Sequence, residues 1–409
     1  MLKKISVKQL RLGMYLQELC SSWLDSPFWK KSFLLTSEEE IGQILHAQIL
    51  EVVIDTQKGF DVLEVELPAD QGAVSARREH VVKGPNKSTT PVSMDEELGE
   101  AALIVNKSRR AVSSMFSEAR MGNAVELENV LPLVDEIASS VMRNSGALIG
   151  IARLKAKDDY TYMHSVAVCA LMIALAKQLG MDDEQTRIAG LAGLLHDIGK
   201  MAVSEDILNK PGKLTDEEFS AIKVHPVEGH KILLDAKGIG QVALDVCLHH
   251  HEKTDGSGYP EGLTGDQISQ FAKMGAVCDV YDAITSDRPY KKGWCPADSL
   301  RKMADWSKGH FDEDIFQAFV RSVGIYPVGT LVRLESGRLG VVVEQKTGKS
   351  LLAPKVRVFF SIKSSTHITP ELLDLSGPAS QDKIVSREDA VTWSLTDIDR
   401  YWLGDVAPS

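Results

Sequence analysis

Cysteine is scarce and scattered in this chain. Cys20, Cys169, Cys247, Cys278 and Cys295 are odd in number and form no C-x-x-C pair. That pattern excludes a disulfide framework and a zinc ribbon, and it fits a reducing cytosol. Long apolar runs are also missing: no stretch approaches the roughly 20 apolar residues expected of a membrane helix. The basic start Met1-Leu2-Lys3-Lys4-Ile5 is not followed by the apolar segment of a secretory signal. Nor is there a basic excess, since 46 Lys and Arg stand against 57 Asp and Glu, a net charge of −11. This balance argues against general binding of DNA, RNA or anionic membrane, yet leaves room for a local basic pocket around a small phosphorylated ligand. No internal repeat is visible. The rest is ordinary globular composition, 44% apolar and 25% charged over 409 residues, enough for two to four domains.

The pattern along the chain changes several times. Residues 1–66 read as a small α+β unit, with strands over Ile5–Leu10 and Met14–Leu19 around a turn at Gly13. A capping-box pattern at Ser37-Glu38-Glu39-Glu40 opens a helix to about Ala47, and Ile49–Ile54 reads as a strand. Residues 67–93 are rich in Pro, Gly and Ser and read as a flexible linker. Apolar residues at helical spacing predict a connector helix from Met94 to about Met121, within 94–129. Helical periods then dominate 130–325, including Tyr162–Leu179, closed by Gly180, and Glu184–Leu195. Over 326–400 the period becomes that of strands, at Leu331–Leu334, Gly340–Glu344 and Val356–Phe360, which predicts a small β-barrel-like tail. The expected fold class is mainly α, with a small α+β domain before the helical domain and a small β-rich domain after it.

Histidine is the residue type that is concentrated. Seven of the eleven fall between positions 164 and 251. Three are consecutive, His249-His250-His251, just before Glu252 and the turn-forming Asp255-Gly256-Ser257-Gly258-Tyr259-Pro260. His196-Asp197 lies upstream, His164 and His225 stand apart, and Asp279 follows. Taken singly, His164 on an apolar helix is a core histidine, Asp279 a turn residue, and His225-Pro226 a helix boundary. Taken together, His164, His196, Asp197, His225, His250, His251 and Asp279 offer the imidazole and carboxylate ligands of a hydrolytic metal centre, with Asp197 placed to bridge.

The ordered segments resemble the HD-GYP family. They are Leu195-His196-Asp197-Ile198-Gly199-Lys200, Lys210-Pro211-Gly212-Lys213-Leu214-Thr215, His225-Pro226 with Gly229, and His250-His251-Glu252 through Gly258-Tyr259-Pro260. Asp279-Val280-Tyr281-Asp282-Ala283-Ile284-Thr285-Ser286 through Arg288-Pro289-Tyr290-Lys291 completes the set. The likeness spans about 130–325, and the first ~65 residues resemble the accessory domain DUF3391. It implies a helical, metal-dependent, bacterial phosphodiesterase of the HD superfamily that hydrolyses cyclic di-GMP to linear pGpG and on to GMP. The same seven residues are its implied metal ligands, for two divalent ions, iron or manganese, that share a bridging hydroxide. His249 is extra to the family pair. Members with a third metal carry a glutamate four residues before the first histidine; here that place holds Tyr160, with Asp158 and Asp159 nearby.

The resemblance further implies that Lys200, Arg288 and Lys291 contact substrate phosphates, with Lys200 also stabilising charge on the leaving oxygen. Arginine suits phosphate because its planar fork makes paired bonds. The alternative for Lys200 is a cation facing a helix C-terminus, and for the other two a solvated surface. Tyr259 is given no chemical step. The expected small-molecule partner is a cyclic dinucleotide. The GYP loop is open to a protein partner and the 94–121 helix to a second copy; neither DNA binding nor membrane insertion is expected. Competing readings are a 3′,3′-cyclic GMP-AMP phosphodiesterase, a nucleotide phosphohydrolase of the wider superfamily, and a sensor without catalysis.

Overall fold

The computed structural model describes residues 2–6, 10, 13–19, 33–35, 41, 51–56 and 58–59. From 89 onward it describes all but 155–159, 288–291, 346–349, 379, 381 and 405–409. The predicted helix over 37–47, apart from Ile41, and most of the predicted linker 67–93 lie outside the described residues. So do Asp158, Asp159, Arg288 and Lys291. The chain divides into two units, Met1–Val81 and Val82–Ser409.

The first unit contains an antiparallel sheet in the order β1-β4-β2-β3. Its strands are β1 (Leu2–Ser6), β2 (Tyr15–Leu19), β3 (Phe33–Leu34) and β4 (Glu51–Asp55). The first strand begins and ends earlier than the expected Ile5–Leu10, because Leu2 pairs with Asp55 and Ser6 with Glu51. Met14, Leu16, Leu35, Val52 and Ile54 are buried and form its core.

The second unit opens with two long helices, α1 (Met94–Arg120) and α2 (Leu127–Arg153). Glu97 of α1 is buried and accepts bonds from Arg143 at 2.6 and 2.7 Å and from Ser140 at 2.7 Å, both on α2. This satisfied buried pair fixes the two helices in register. Asn144 has φ −161° and ψ 100°, which breaks α2, and its side chain donates to the Val92 carbonyl.

Helix α3 (Tyr160–Gln178) is the centre of the bundle, packed by α1, α2, α4 (Asp183–Leu195), α9 (Gln270–Thr285) and α11 (Glu313–Val323). Every residue from Met163 to Ala176 is buried. Its apolar residues run all round the helix, as expected of one enclosed on all sides. Contrary to the sequence expectation, α3 is long and apolar enough to cross a membrane, but 78% of that window is buried by its neighbours. Gly190 and Gly193 of α4 allow the close approach: a Cβ on Gly193 would lie 3.0 Å from the Val168 carbonyl oxygen.

After α4 come a 3-10 turn (Ile198–Ala202), α5 (Glu205–Leu208), α6 (Asp216–Ile222), α7 (His225–Leu234) and α8 (Gln241–His249). Helix α10 (Pro296–His310) links α9 to α11. The unit ends in an antiparallel sheet of β5 (Leu331–Leu334), β6 (Arg338–Glu344), β7 (Lys355–Ser361), β8 (Thr366–Asp374) and β9 (Ile384–Arg387). Their order is β8-β7-β6-β5-β9, so β8 and β9 form its edges among the described strands. Helix α12 (Arg400–Leu403) follows, and its Trp402 is fully buried. The fold is thus mainly α with small antiparallel sheets at both ends.

Candidate metal centre

Six helical elements deliver the clustered side chains. His164 sits on the first turns of α3, while His196 caps α4 and Asp197 starts the 3-10 turn. His225 and Pro226 open α7, where a proline needs no N–H partner. His250 caps α8, His251 follows, and Asp279 lies on α9. The turn and α7 approach closely because Gly199 and Gly229 have no side chains. A Cβ on Gly199 would lie 1.9 Å from the His225 carbonyl oxygen. These two glycines therefore bring Asp197 and His225 to one point.

Asp197 stands in the middle. Its Oδ2 is 3.3 Å from His164 Nε2 and 3.4 Å from His196 Nε2. Its Oδ1 is 3.2 Å from His225 Nε2 and 3.9 Å from His250 Nε2. Asp279 Oδ1 lies 2.9 Å from His164 Nε2, and its Oδ2 lies 3.8 Å from His251 Nδ1. Three groups have ligand atoms within 4.8 Å of one another: His164, His196 and Asp279; His225, His250 and His251; and His196, Asp197 and His250. All seven residues singled out as ligands are brought together.

The far ring nitrogens are tied down. His164 Nδ1 meets Asp282 at 2.6 Å, His196 Nδ1 the Gly193 carbonyl at 2.8 Å, and His225 Nδ1 the Ile222 carbonyl at 2.8 Å. His250 Nδ1 meets the Val246 and Cys247 carbonyls at 3.0 and 3.1 Å. A carbonyl only accepts, so Nδ1 carries the hydrogen and Nε2 a lone pair in the neutral ring. The Nε2 atoms of His225 and His250 then face each other at 3.3 Å, acceptor to acceptor. His196 Nε2 and Asp197 Oδ1 are buried without a hydrogen-bond partner among the described residues. Buried acceptors facing one another are costly without a cation, and the donor set is the imidazole–carboxylate mixture that divalent transition metals take. The residues present fit such ions.

Electrostatics agree. Burial, reinforced by His251, His196 and His225, holds the His250 pKa well below the usual histidine value. Burial likewise lowers His251 to about 3, so both rings are neutral. Burial opposes ionisation of Asp197, yet Lys200 and His196 keep its pKa well below the carboxylate range. For His164, burial pulls downward but Asp197, Asp279 and Asp282 raise the value to about 10. A cation held there would take the place of that proton, since ligation needs the neutral ring.

Comparison with known proteins now has a site to refer to. A family model described as "Domain of unknown function (DUF3391)" matches residues 2–130, and one described as "HD domain" matches 140–315. The chain is 55% identical over 406 residues to cyclic di-GMP phosphodiesterase PA4108 of Pseudomonas aeruginosa, covering 99% of this chain and 96% of that one. It is 32% identical over 255 residues to the cyclic di-GMP phosphodiesterase response regulator RpfG of Xanthomonas campestris, covering 57% and 67%. It is 36% identical over 190 residues to 3′3′-cGAMP-specific phosphodiesterase 1 of Vibrio cholerae, covering 46% and 42%. The chain belongs to the HD-GYP family.

The HD-GYP loop borders the site. Glu252 is buried, and its carboxylate accepts from the backbone N–H groups of Glu261, Gly262 and Leu263 at 2.7, 3.1 and 3.0 Å. A Cβ on Gly258 would lie 2.4 Å from the Lys253 nitrogen, so the loop closes only with glycine there. The fold so held stacks the Tyr259 ring on His251 with centroids 4.7 Å apart, and the Tyr259–Pro260 bond is cis.

A cavity of about 360 Å³ opens beside the centre and is lined by His164, His225, His251 and Asp279. Lys200 lines it with Nζ 2.5 Å from Asp197 Oδ2, placed to reach both the centre and a ligand. Tyr160, where some members carry a glutamate, stacks parallel to His164 at 5.9 Å. His249 turns away: its Nδ1 meets Asp245 at 2.7 Å. Sequence reasoning gave no role to Asp282 and Glu252, which it named only within the motifs, left Tyr259 without a chemical step, and missed the cavity residues Arg120 and Phe219. Asp282 had a usable signal, since it lies three residues after Asp279 on one helix face. Arg120 had none, because it comes from the end of α1, far from the motifs, and is ion-paired to Glu205.

Proposed function

We propose that this HD-GYP phosphodiesterase opens cyclic di-GMP to linear pGpG, with GMP as a further product, in the bacterial cytoplasm. The observation that carries the reading is Asp197 standing between two groups of ligands, one facing each carboxylate oxygen. The 55% identity to a cyclic di-GMP phosphodiesterase over both nearly complete chains supports the substrate. Two divalent ions, iron or manganese, would be held by His164, His196 and Asp279 on one side and His225, His250 and His251 on the other, with Asp197 shared. When bound, such ions supply an activated water and Lewis acidity toward phosphorus.

The chain's own residues do the rest. The Nδ1 partners keep each Nε2 aimed inward. Lys200 holds Asp197 in its ionised form and offers a positive charge where a leaving oxygen develops its own. Arg120, Phe219 and Tyr259 give the cavity a cation and aromatic faces, chemistry that suits phosphates and purines. Arg288 and Lys291 are assigned to substrate phosphates on the family pattern. The same reading gives catalysis to residues 130–325, an accessory role to 1–66, a linker at 67–93, a connector at 94–129, and a small β-rich domain at 326–400.

Cyclic GMP-AMP is the second reading, supported by the resemblance to the Vibrio enzyme. Product chromatography separates the two. Anaerobically purified chain loaded with Fe(II) or Mn(II) is given cyclic di-GMP or 3′,3′-cyclic GMP-AMP, with Asp197→Ala alongside. Metal-dependent opening of cyclic di-GMP that the variant loses is expected. Preferential opening of cyclic GMP-AMP would replace the substrate, and no opening of either would overturn the reading.

A further inference from the structure

A second cavity, of about 770 Å³, lies between the helical bundle and the C-terminal sheet, away from the metal ligands. Its walls come from α2, α3, α9, α11 and the start of the sheet, all within one unit. Two cations that line this cavity have no ion-pair partner among the described residues.

Arg153, the last residue of α2, lines it half-buried. Among the described residues, no carboxylate or other acceptor bonds its guanidinium. The backbone of Gly329 (φ 87°) closes against it, for a Cβ there would lie 2.4 Å from a guanidinium nitrogen. Arg321 of α11 adds a second cation without an ion-pair partner among the described residues. By contrast, Arg143 is held by Glu97 and Lys177 by Asp183, and the one acidic lining residue, Glu344, is taken by Lys355. Tyr281 of α9 is 3% exposed and lines the cavity, close enough to Arg153 for the guanidinium charge to act on its phenol. A partly desolvated guanidinium with no acceptor among the described residues is unfavourable unless something polar meets it.

The remaining walls include Val92, Ile149, Pro327 and Val328, which are apolar. Two arginines with no ion-pair partner among the described residues, a phenol ring and apolar walls in a cavity of this size suit a small ligand with a phosphate and a flat ring. We propose that this cavity binds a phosphorylated mononucleotide, with Arg153 and Arg321 on its phosphate. The site is separate from catalysis but shares a helix with it. Tyr281 lies between Asp279 and Asp282, which face the metal centre from the same α9.

The test is calorimetric titration of the manganese-loaded full chain with GMP, and with guanosine as the probe that lacks phosphate. The variants are Arg153→Ala, Arg321→Ala and Lys200→Ala. Arg321 is exposed, so its loss leaves the core intact even if Arg153→Ala folds poorly. The expected result is one GMP-binding event that weakens at least tenfold in Arg153→Ala and severalfold in Arg321→Ala, yet persists in Lys200→Ala. Guanosine should bind that site at least tenfold more weakly than GMP. The proposal is overturned if no GMP-binding event responds to Arg321, or if guanosine binds there as well as GMP.

Discussion

On the Oδ2 side of Asp197 stand His164, His196 and Asp279; on the Oδ1 side stand His225 and His250, with His251 beside them. The first group is anionic. It contains a carboxylate, and a second carboxylate, Asp282, grips its histidine from behind. The second group is three imidazoles, two of them steadied by backbone carbonyls, and its His251 side chain is 23% exposed toward the cavity. A dication gains more from the buried carboxylates than from neutral rings. On the two-ion reading, the Oδ2 ion is therefore the tightly held one, and the Oδ1 ion, nearer the cavity, is the exchangeable one.

The largest test removes what the two sides share. Asp197→Ala should lower turnover by more than about 1,000-fold and strip metal from both sides. Metal analysis by mass spectrometry beside a rate assay reads both effects. A variant that keeps one full equivalent of metal would show that one side binds without the bridge.

A smaller effect separates the sides. Asp279→Ala should remove the tightly held ion and cost about 100-fold in turnover, with its loss persisting at high added manganese. His251→Ala should instead weaken the exchangeable ion, so that added manganese restores much of the activity. Equal rescue of the two variants would erase the proposed asymmetry.

Asp282→Asn probes the support behind the anionic side alone. It keeps a hydrogen-bond acceptor for His164 but loses the charge. Supporting carboxylates of this kind typically contribute 10- to 100-fold in metal affinity, and a loss of roughly that size is expected here. The measurement is competition with a chelator. No change would mean that Asp282 serves packing and not the ion.

The clustered histidines and aspartates were legible in sequence because metal chemistry accepts few residue types, and the family motifs keep them in a fixed order. Their supports were not, because support is a matter of space. Ile222, Val246 and Gly193 act through backbone carbonyls, which no side-chain pattern can announce. Glu97 looks like any first-turn glutamate until Ser140 and Arg143 close on it from 43 and 46 residues away. Strands β5 to β7 were visible from their runs of Val, Leu and Phe. Strand β8 was missed because it is an edge with mostly exposed residues and carries Pro370 beside a register shift, where a missing N–H is tolerated. The apolarity of α3 was underestimated because its alanines count little one by one yet enclose the helix on every side.

The smallest expected effect concerns the histidine beside the second group. Successive residues of a helix point about 100° apart, so three histidines in a row cannot all face one centre. At the end of α8 the turn selects His250 and His251, and His249 is directed toward Asp245 and, at 3.5 Å, Glu261 of the GYP loop. The Asp245 carboxylate raises the His249 pKa, as befits a ring that pairs with acids and not with a metal. His249→Ala should therefore leave metal content unchanged and turnover within about twofold. Its cost should fall on stability instead, roughly 1.5–3 kcal/mol for a hydrogen bond between charged partners. Denaturant unfolding of the metal-loaded chain measures that cost. If His249→Ala instead lost metal while His251→Ala kept it, the Oδ1 side would be built from a different pair of histidines, and the contrast between the two faces of Asp197 would have to be drawn again.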